Sequence, residues 1–466
     1  MSSPAAGAAR SPAEKVDTVV IGAGIAGLVV AHDLARAGHR VRVLEASDAV
    51  GGLLRRGTVA GLDVDLGAES YATRTDAVAT LVADAGLDLE LVAPRPGGAF
   101  LAVATGDGPV RAPLPRRTVL GIPADPTAPD VVALIGADAA ARAAGEQDLT
   151  PYTDADAEPS LFALVAQRCG TVVAERLVDT LCRSVYSRPA SEVRLSALHP
   201  GMWRAFLEHG SLTRAAAEIA QTARAGAAVG GIAGGMWRLP AALAAAAHGA
   251  DIRTRATVEA ISDGPDGPIL HTSQGDIAAA RVVVATGPAA ADRLLGVPDV
   301  APAQRVRVVA AAVDAPALDA HPVGSGVIVD PALPTAAKAL THITAKWAWA
   351  DATTPPGRHL IRLSARDAAA DTLRTPADIA RDVTLLTGVT ITPEDVVDVV
   401  AQDWTDAVAD ATPGRAAAVE AARVRGIHHA GAAAAGTGLA SVIPHARALA
   451  ARLAEELSPT PTRSRA

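Results

Sequence analysis

Residues 18–31 read TVVIGAGIAGLVVA, an uncharged run broken by glycines at Gly22, Gly24 and Gly27. No other stretch of this chain limits its fold as tightly. A helix that crosses a bilayer needs about 20 consecutive apolar residues, and this run ends at His32 and Asp33. It is too short to span. The preceding stretch MSSPAAGAARSPAEK is polar and Asp17 abuts the apolar run, which departs from a secretory signal. The expectation is a cytoplasmic protein with no transmembrane segment. What remains is a strand from Thr18 to Ile21, a turn Gly22-Ala23-Gly24, and a helix from Ile25 to Ala37 stopped by Gly38.

The next strand, Val41 to Leu44, closes on Glu45, 18 residues after Gly27. Strand, GxGxxG, helix, strand and acid in that order make a dinucleotide site. Gly22 permits the tight turn, Gly24 lets backbone N–H groups approach a pyrophosphate, and Gly27 lets helix and strand pack closely. The helix N-terminus adds partial positive charge. Glu45 accepts from ribose hydroxyls and disfavours a 2′-phosphate, which argues against NADP. Beyond Glu45 the βα repeat of a nicotinamide enzyme is broken, because Gly51-Gly52 leads into the hairpin-like RRGTVAGLDVDLGAES. Far along the chain, RGIHHAGAAAAGTGLASVIPHARALAARLAEEL (residues 425–457) reads as a strand, a glycine-rich loop and a long helix capped near Ser441. The N-terminus of such a helix stabilises negative charge on a ring system, as reduced flavin carries at its pyrimidine end. Between the two, RVVVATGP (residues 281–288) reads as a buried strand. Together these favour FAD, in a domain assembled from both ends and the middle of the chain.

A length of 466 residues gives a prior of two or three domains. The formal net charge of -8 argues against nucleic acid as a partner. Only three lysines occur, Lys15, Lys338 and Lys346, so the basic residues are nearly all arginine. Cys169 and Cys182 lie in a helical-looking segment that would hold them roughly 20 Å apart, too far for a disulfide. They read as buried thiols in a reducing compartment. His428 and His429 would point to opposite faces of a strand, and no metal site is expected.

The run GAGIAGL with Glu45 and Gly51-Gly52 carries a superfamily signature, and four further stretches narrow it. These are LGAESYATR (residues 66–74), LPRRTVLGIPADP (114–126), GTVVAERLVDTLCRSVYSRPASEVRLSAL (170–198) and EHGSL (208–212). In order and spacing the chain resembles, along nearly its whole length, the FAD-dependent coproporphyrinogen and protoporphyrinogen oxidases of haem synthesis, within the amine-oxidase-like flavoproteins. The resemblance implies FAD contacts at Gly22, Ala23, Gly24, Ile25, Ala26 and Gly27, at Glu45 and Ala46, and at Gly51 and Gly52. It further implies contacts at Gly67, Ala68, Glu69 and Ser70, at Val258 and Trp404, and at Leu439, Ala440 and Ser441. The implied chemistry is dehydrogenation of a porphyrinogen, with hydride passing to flavin and dioxygen reoxidising it to give peroxide. FAD does the redox work, and no nucleophilic side chain is required. Substrate propionates need cations: Arg74 and Lys346 are the candidates, with Arg116 and Arg117 behind them. In THITAKWAWA, alternation sets Trp347 and Trp349 on one face of a strand, as plain core packing or as a wall for a flat macrocycle.

Two departures stand out. After Trp404 the family continues with proline, glutamine and tyrosine and a nearby histidine, where this chain has the small, polar TDAVADATPG (residues 405–414). Ser441 stands where the family's final turn carries an acid. The expected architecture is α/β: a Rossmann-type FAD-binding domain from residues 14–95, 225–295 and 400–460, a mixed or antiparallel-sheet substrate domain from 96–130 and 296–399, and a helical lobe over 131–224. The tails, MSSPAAGAAR and SPTPTRSRA, read as disordered. Coproporphyrinogen III oxidation is the leading expectation, with protoporphyrinogen oxidation next. An amine- or carotenoid-type flavin oxidase and a non-catalytic porphyrin-binding flavoprotein are the alternatives.

Overall fold

The computed structural model describes residues 14–152, 158–186, 188–222, 229–298, 300, 304–407, 412 and 414–457. The tails, the expected boundary at 225 and half of segment 405–414 fall outside those residues. Among the described residues no helix is long and apolar enough to cross a membrane.

The glycine-rich run forms β1 (Glu14–Ile21) and α1 (Ile25–Arg36), followed by β2 (Val41–Leu44). β1 begins four residues before the expected Thr18. β1 and β2 are parallel, with Thr18 opposite Val41 and Ile21 opposite Leu44, so α1 is the crossover that parallel pairing requires. On its other side β1 pairs in parallel with Gly275–Val284, which pairs in turn with Ile427–His429. Ala250–Arg253 extends the sheet past β2, and the antiparallel strands Gly267–Thr272 and Val258–Gly264 extend it past Gly275–Val284. Both faces are covered, which explains the unbroken apolar runs. On one face Leu28, Val29, Val30 and Leu34 of α1 pack with Val442, Ile443 and Leu453 of the C-terminal helix Leu439–Leu457. Each such side chain contributes about 1.5–3 kcal/mol when fully buried. On the other face Val19, Ile21, Val282 and Val284 meet Leu295, Ala422 and Ile427.

The segment after Gly51-Gly52 is the expected hairpin, β3 (Arg56–Val59) and β4 (Leu62–Asp65), turning through Ala60 and Gly61 with φ of 49° and 78°. Positive φ at both turn residues matches the twist of the flanking strands. A second seven-stranded sheet runs in the order Val396–Trp404, Val306–Asp314, Arg358–Arg366, Ala339–His342, Gly326–Val329, Phe100–Thr105, Gly108–Pro113. It is antiparallel except where Gly326–Val329 meets Phe100–Thr105. Val396–Trp404 belongs to this sheet and so crosses the expected domain boundary at residue 400.

Two local expectations are corrected. THITAKWAWA is not a strand through both tryptophans: pairing ends at His342, opposite Ile361, and Ile343–Lys346 and Ala348–Thr353 form helical turns. Three alanines in this short run favour helix over strand, and the ladder offers no further partner. The cysteine segment is not one continuous helix either. Helix Leu161–Cys169 stops at Gly170 with φ of 100°, and the chain resumes in an α-helical turn, Thr171–Val173, followed by π-helical turns over Ala174–Asp179 and Cys182–Tyr186. Both cysteines are unpaired and buried, and burial pushes the Cys182 thiol up to about 12.

Candidate functional site

The parallel strands deliver their C-terminal ends to one edge, where ligands of open α/β sheets bind. Gly24 is the N-cap of α1 with no side-chain cap, and a Cβ built there meets nothing within 4 Å. Uncapped amides therefore face open space, the arrangement that accepts an anion. Gly27 is the opposite case, since a Cβ there would lie 2.0 Å from the Gly22 carbonyl oxygen. Gly51 donates its N–H to the Ala23 carbonyl at 2.8 Å and bridges to Gly24, so both glycine pairs line one opening.

Glu45 stands beside that opening. Its Oε2 accepts from the Ala23 N–H at 2.8 Å, and its Oε1 accepts from the Ser47 N–H at 2.9 Å and the Ser47 hydroxyl at 2.8 Å. The carboxylate is thus fixed by three donors and retains lone pairs for hydroxyl donors. Its backbone joins Arg253 and Ala256, whose chain leads into Val258 at the start of Val258–Gly264.

A second cluster lies where the hairpin meets the other sheet. Gly67 is closely approached: a Cβ there would sit 1.7 Å from the Leu53 carbonyl oxygen. The Trp404 indole donates to the Leu66 carbonyl at 2.8 Å, and Arg362 donates to the Gly67 carbonyl at 2.5 Å. Glu69 turns inward, accepting from Lys346 Nζ at 2.5 Å and Trp347 Nε1 at 3.2 Å. Burial alone would raise the Glu69 carboxyl, yet Lys346 and Arg362 outweigh it and hold it below the ordinary glutamate range. Asp65 differs. Burial pushes it up to about 7, although the Met236 and Trp237 N–H groups donate to it at 2.8 and 3.0 Å.

These contacts revise two expectations. Lys346 and Glu69 share one ion pair, with side chains only 11% and 13% exposed, so the lysine charge is spent on glutamate and unsuited to a substrate carboxylate. The Glu69 carboxylate is engaged by Lys346 and Trp347. Ser441 is not the helix cap, since the helix begins at Leu439. Its Oγ accepts from Arg74 Nη2 at 2.5 Å, joining the exposed Arg74 to the first turn of that helix. Arg116 and Arg117 are exposed, and the Arg116 backbone N–H donates to Asp130. Beyond Trp404, Asp406 accepts from the Ala289 and Ala290 N–H groups and so caps the helix Pro288–Leu295. Sequence reasoning missed Arg362, Asp65 and Ser47. A lone arginine in the apolar run HLIRLSA was the available signal for the first. Among the described residues no group of three or more His, Cys, Asp or Glu is placed to hold a metal.

Residues 25–457 match the family described as flavin containing amine oxidoreductase. The coproporphyrinogen III oxidase of Mycobacterium leprae is 32% identical over 415 residues, 85% of this chain and 88% of that protein. A solved structure from Exiguobacterium, assigned as a protoporphyrinogen oxidase, superposes with a TM-score of 0.77 at 21% identity, covering 95% of this chain and 99% of the other. The cyclohexylamine oxidase of Brevibacterium oxydans superposes with a TM-score of 0.64 at 19% identity, covering 96% and 100%. The fold is the amine-oxidase-type flavoprotein fold, an α/β nucleotide-binding sheet joined to a second sheet.

Proposed function

The chain belongs to the flavin-containing amine oxidoreductase family, and from that premise we propose that it holds FAD and dehydrogenates coproporphyrinogen III to coproporphyrin III, with dioxygen as electron acceptor. The alignment with the M. leprae coproporphyrinogen III oxidase along 85% of the chain carries the choice of substrate. FAD held there would supply the redox chemistry: three successive two-electron dehydrogenations would remove the six electrons and six protons that separate coproporphyrinogen from coproporphyrin, with three dioxygen molecules leaving as three molecules of hydrogen peroxide.

The chain's own residues bind and orient. The amides of the first turn of α1, opening on the space at Gly24, receive the pyrophosphate with the help of the helix dipole. Glu45, preset by Ala23 and Ser47, accepts from ribose hydroxyls. The remaining proposed contacts are Ala46, Gly51 and Gly52 around the phosphates, Val258 beside the adenine, and Gly67–Ser70 and Trp404 around the ring system. The first turn of the C-terminal helix, Leu439–Ser441, supplies partial positive charge to the ring. Arg74, tied to Ser441, is the cation offered to a substrate carboxylate. A cytosolic reaction fits the two buried, unpaired thiols.

Anaerobic mixing of the flavin-loaded protein with coproporphyrinogen III, protoporphyrinogen IX and a primary amine tests the reading. Bleaching of the flavin is expected with coproporphyrinogen III, and the porphyrin band should rise once air is admitted, faster than in a protein-free control, because the full oxidation releases six electrons and one flavin holds two. Bleaching by protoporphyrinogen IX alone, or by the amine alone, reassigns the substrate. No bleaching by any of them leaves a flavoprotein that only binds.

A further inference from the structure

The nucleotide sheet ends at the strand Ile427–His429, which among the described residues pairs only with Gly275–Val284. Along its open edge, between the helix Arg415–Val424 and the C-terminal helix, lies a cavity of about 500 Å³. Its ionisable lining is one-sided, with Arg415, Arg423, Arg452, His428, His429 and His445 present and no carboxylate among the described lining residues. The chain as a whole is acidic, with 50 Asp and Glu against 42 Lys and Arg. The rest of the lining is alanine, valine, isoleucine and leucine, apart from one threonine.

The histidines make this more than a basic patch. His428 Nε2, His429 Nε2 and His445 Nδ1 are each buried without a hydrogen-bond partner, and His429 is only 8% exposed. A buried polar atom left unsatisfied costs about 1–3 kcal/mol, and native structures keep few of them. Three on one cavity imply a partner that brings its own polar atoms. Burial, then the neighbouring Arg415, pushes His429 down to about 4, so its imidazole is neutral at physiological pH and can donate one N–H. Positive charge comes from the arginines. Asp292 engages Arg415 at 2.7 Å and Glu420 engages Arg423 at 2.7 Å, whereas Arg452 is exposed and has no ion-pair partner among the described residues. The lining offers a metal or an amine no carboxylate, and the Arg452 guanidinium disfavours a cation. An oxyanion accepts from both imidazole and guanidinium.

We propose that this cavity is a second ligand site, separate from the flavin site, that binds a small organic oxyanion bearing phosphate or carboxylate groups against an apolar wall. None of its lining residues is among those proposed to hold FAD.

The test uses flavin-loaded protein titrated calorimetrically with pyrophosphate and with citrate, against potassium chloride at matched ionic strength. Saturable binding of one probe per chain is expected. Preference for pyrophosphate identifies a phosphate ligand, and preference for citrate a carboxylate ligand. Arg452→Glu, an exposed change that leaves the core untouched, should weaken binding at least tenfold with the flavin spectrum unchanged. His445→Leu, which removes one orphan nitrogen, should also weaken it. Three results would overturn the proposal: no saturable binding beyond chloride by either probe, equal affinity in both variants and the parent, or release of flavin by the probes, which would merge the cavity with the cofactor site.

Discussion

At Gly24 an added Cβ meets nothing within 4 Å, whereas at Gly67 it would lie 1.7 Å from a carbonyl oxygen. Both glycines belong to the proposed cofactor site, at its phosphate and ring ends, and they serve different purposes. The phosphate end is built from backbone amides that face vacant space, and its parts lie within a few dozen residues of one another: β1, the α1 turn, Glu45 and Gly51. The ring end is built from side chains that cross between two sheets, including Glu69 to Lys346, Arg362 to Gly67 and Trp404 to Leu66. Local backbone geometry is written in glycine spacing. Long-range side-chain pairing is not.

The strongest way to break this contrast is at the helix–strand contact of the phosphate end. Gly27→Ala places a methyl 2.0 Å from the Gly22 carbonyl, a backbone clash expected to cost about 3 kcal/mol and to yield colourless protein. Gly24→Ala is the matched control. Its φ of -70° suits any residue and the space is open, so apoprotein stability should stay within about 0.5 kcal/mol while flavin affinity falls, because the methyl occupies the phosphate's place. Thermal melts of both apoproteins, with flavin absorbance, separate the two. Equal melting losses would refute the distinction between packing and vacancy.

At the ring end, Lys346→Met strands the Glu69 carboxylate. Breaking a buried pair costs about 3–5 kcal/mol. Arg362 stays beside Glu69, so we expect about 2 kcal/mol, read from denaturant midpoints. The double change Lys346→Met with Glu69→Gln should recover most of it. If the single variant is as stable as the parent, the ion pair does not hold this end together.

The same contrast explains what the sequence disclosed. β1, α1, β2, the hairpin and the C-terminal helix were legible because periodicity and glycine placement act within a few residues. The turns after His342 read as a strand in the sequence, since two tryptophans two apart look like alternation whatever the neighbouring alanines favour. Lys346 was selected for its charge, but the carboxylate that claims it lies 277 residues away. Gly170 sits between the cysteines as a break that helical periodicity alone does not reveal.

Arg74 tests whether the ring end extends to the substrate. The side chain is exposed and touches Ser441, so Arg74→Ala should leave melting temperature and flavin content unchanged. Loss of one charge-assisted hydrogen bond, about 1.5 kcal/mol, should raise KM for the porphyrinogen about tenfold. Loss of flavin instead would assign Arg74 to the cofactor's side of the contrast.

The smallest effect concerns Asp65, at the end of β4, where the hairpin meets the N-terminus of the helix Arg238–Ala246. Burial raises its pKa from 3.8 to about 7 in the folded protein. The protonated form is therefore the one that folding prefers. Its contribution to stability is complete at low pH and is lost as pH rises through about 7. Asp65→Asn removes this one titration and leaves the other ionisable groups in place, which makes the comparison clean. Between pH 6 and 7.5 the parent should lose about 1 kcal/mol relative to the variant, measured by urea unfolding at each pH. Parallel curves would show that the two backbone N–H donors, Met236 and Trp237, keep Asp65 ionised throughout. The hairpin would then be anchored to that helix by a charge, as Glu69 is anchored to Lys346, and the neutral-pH weakness assigned to this junction would be absent.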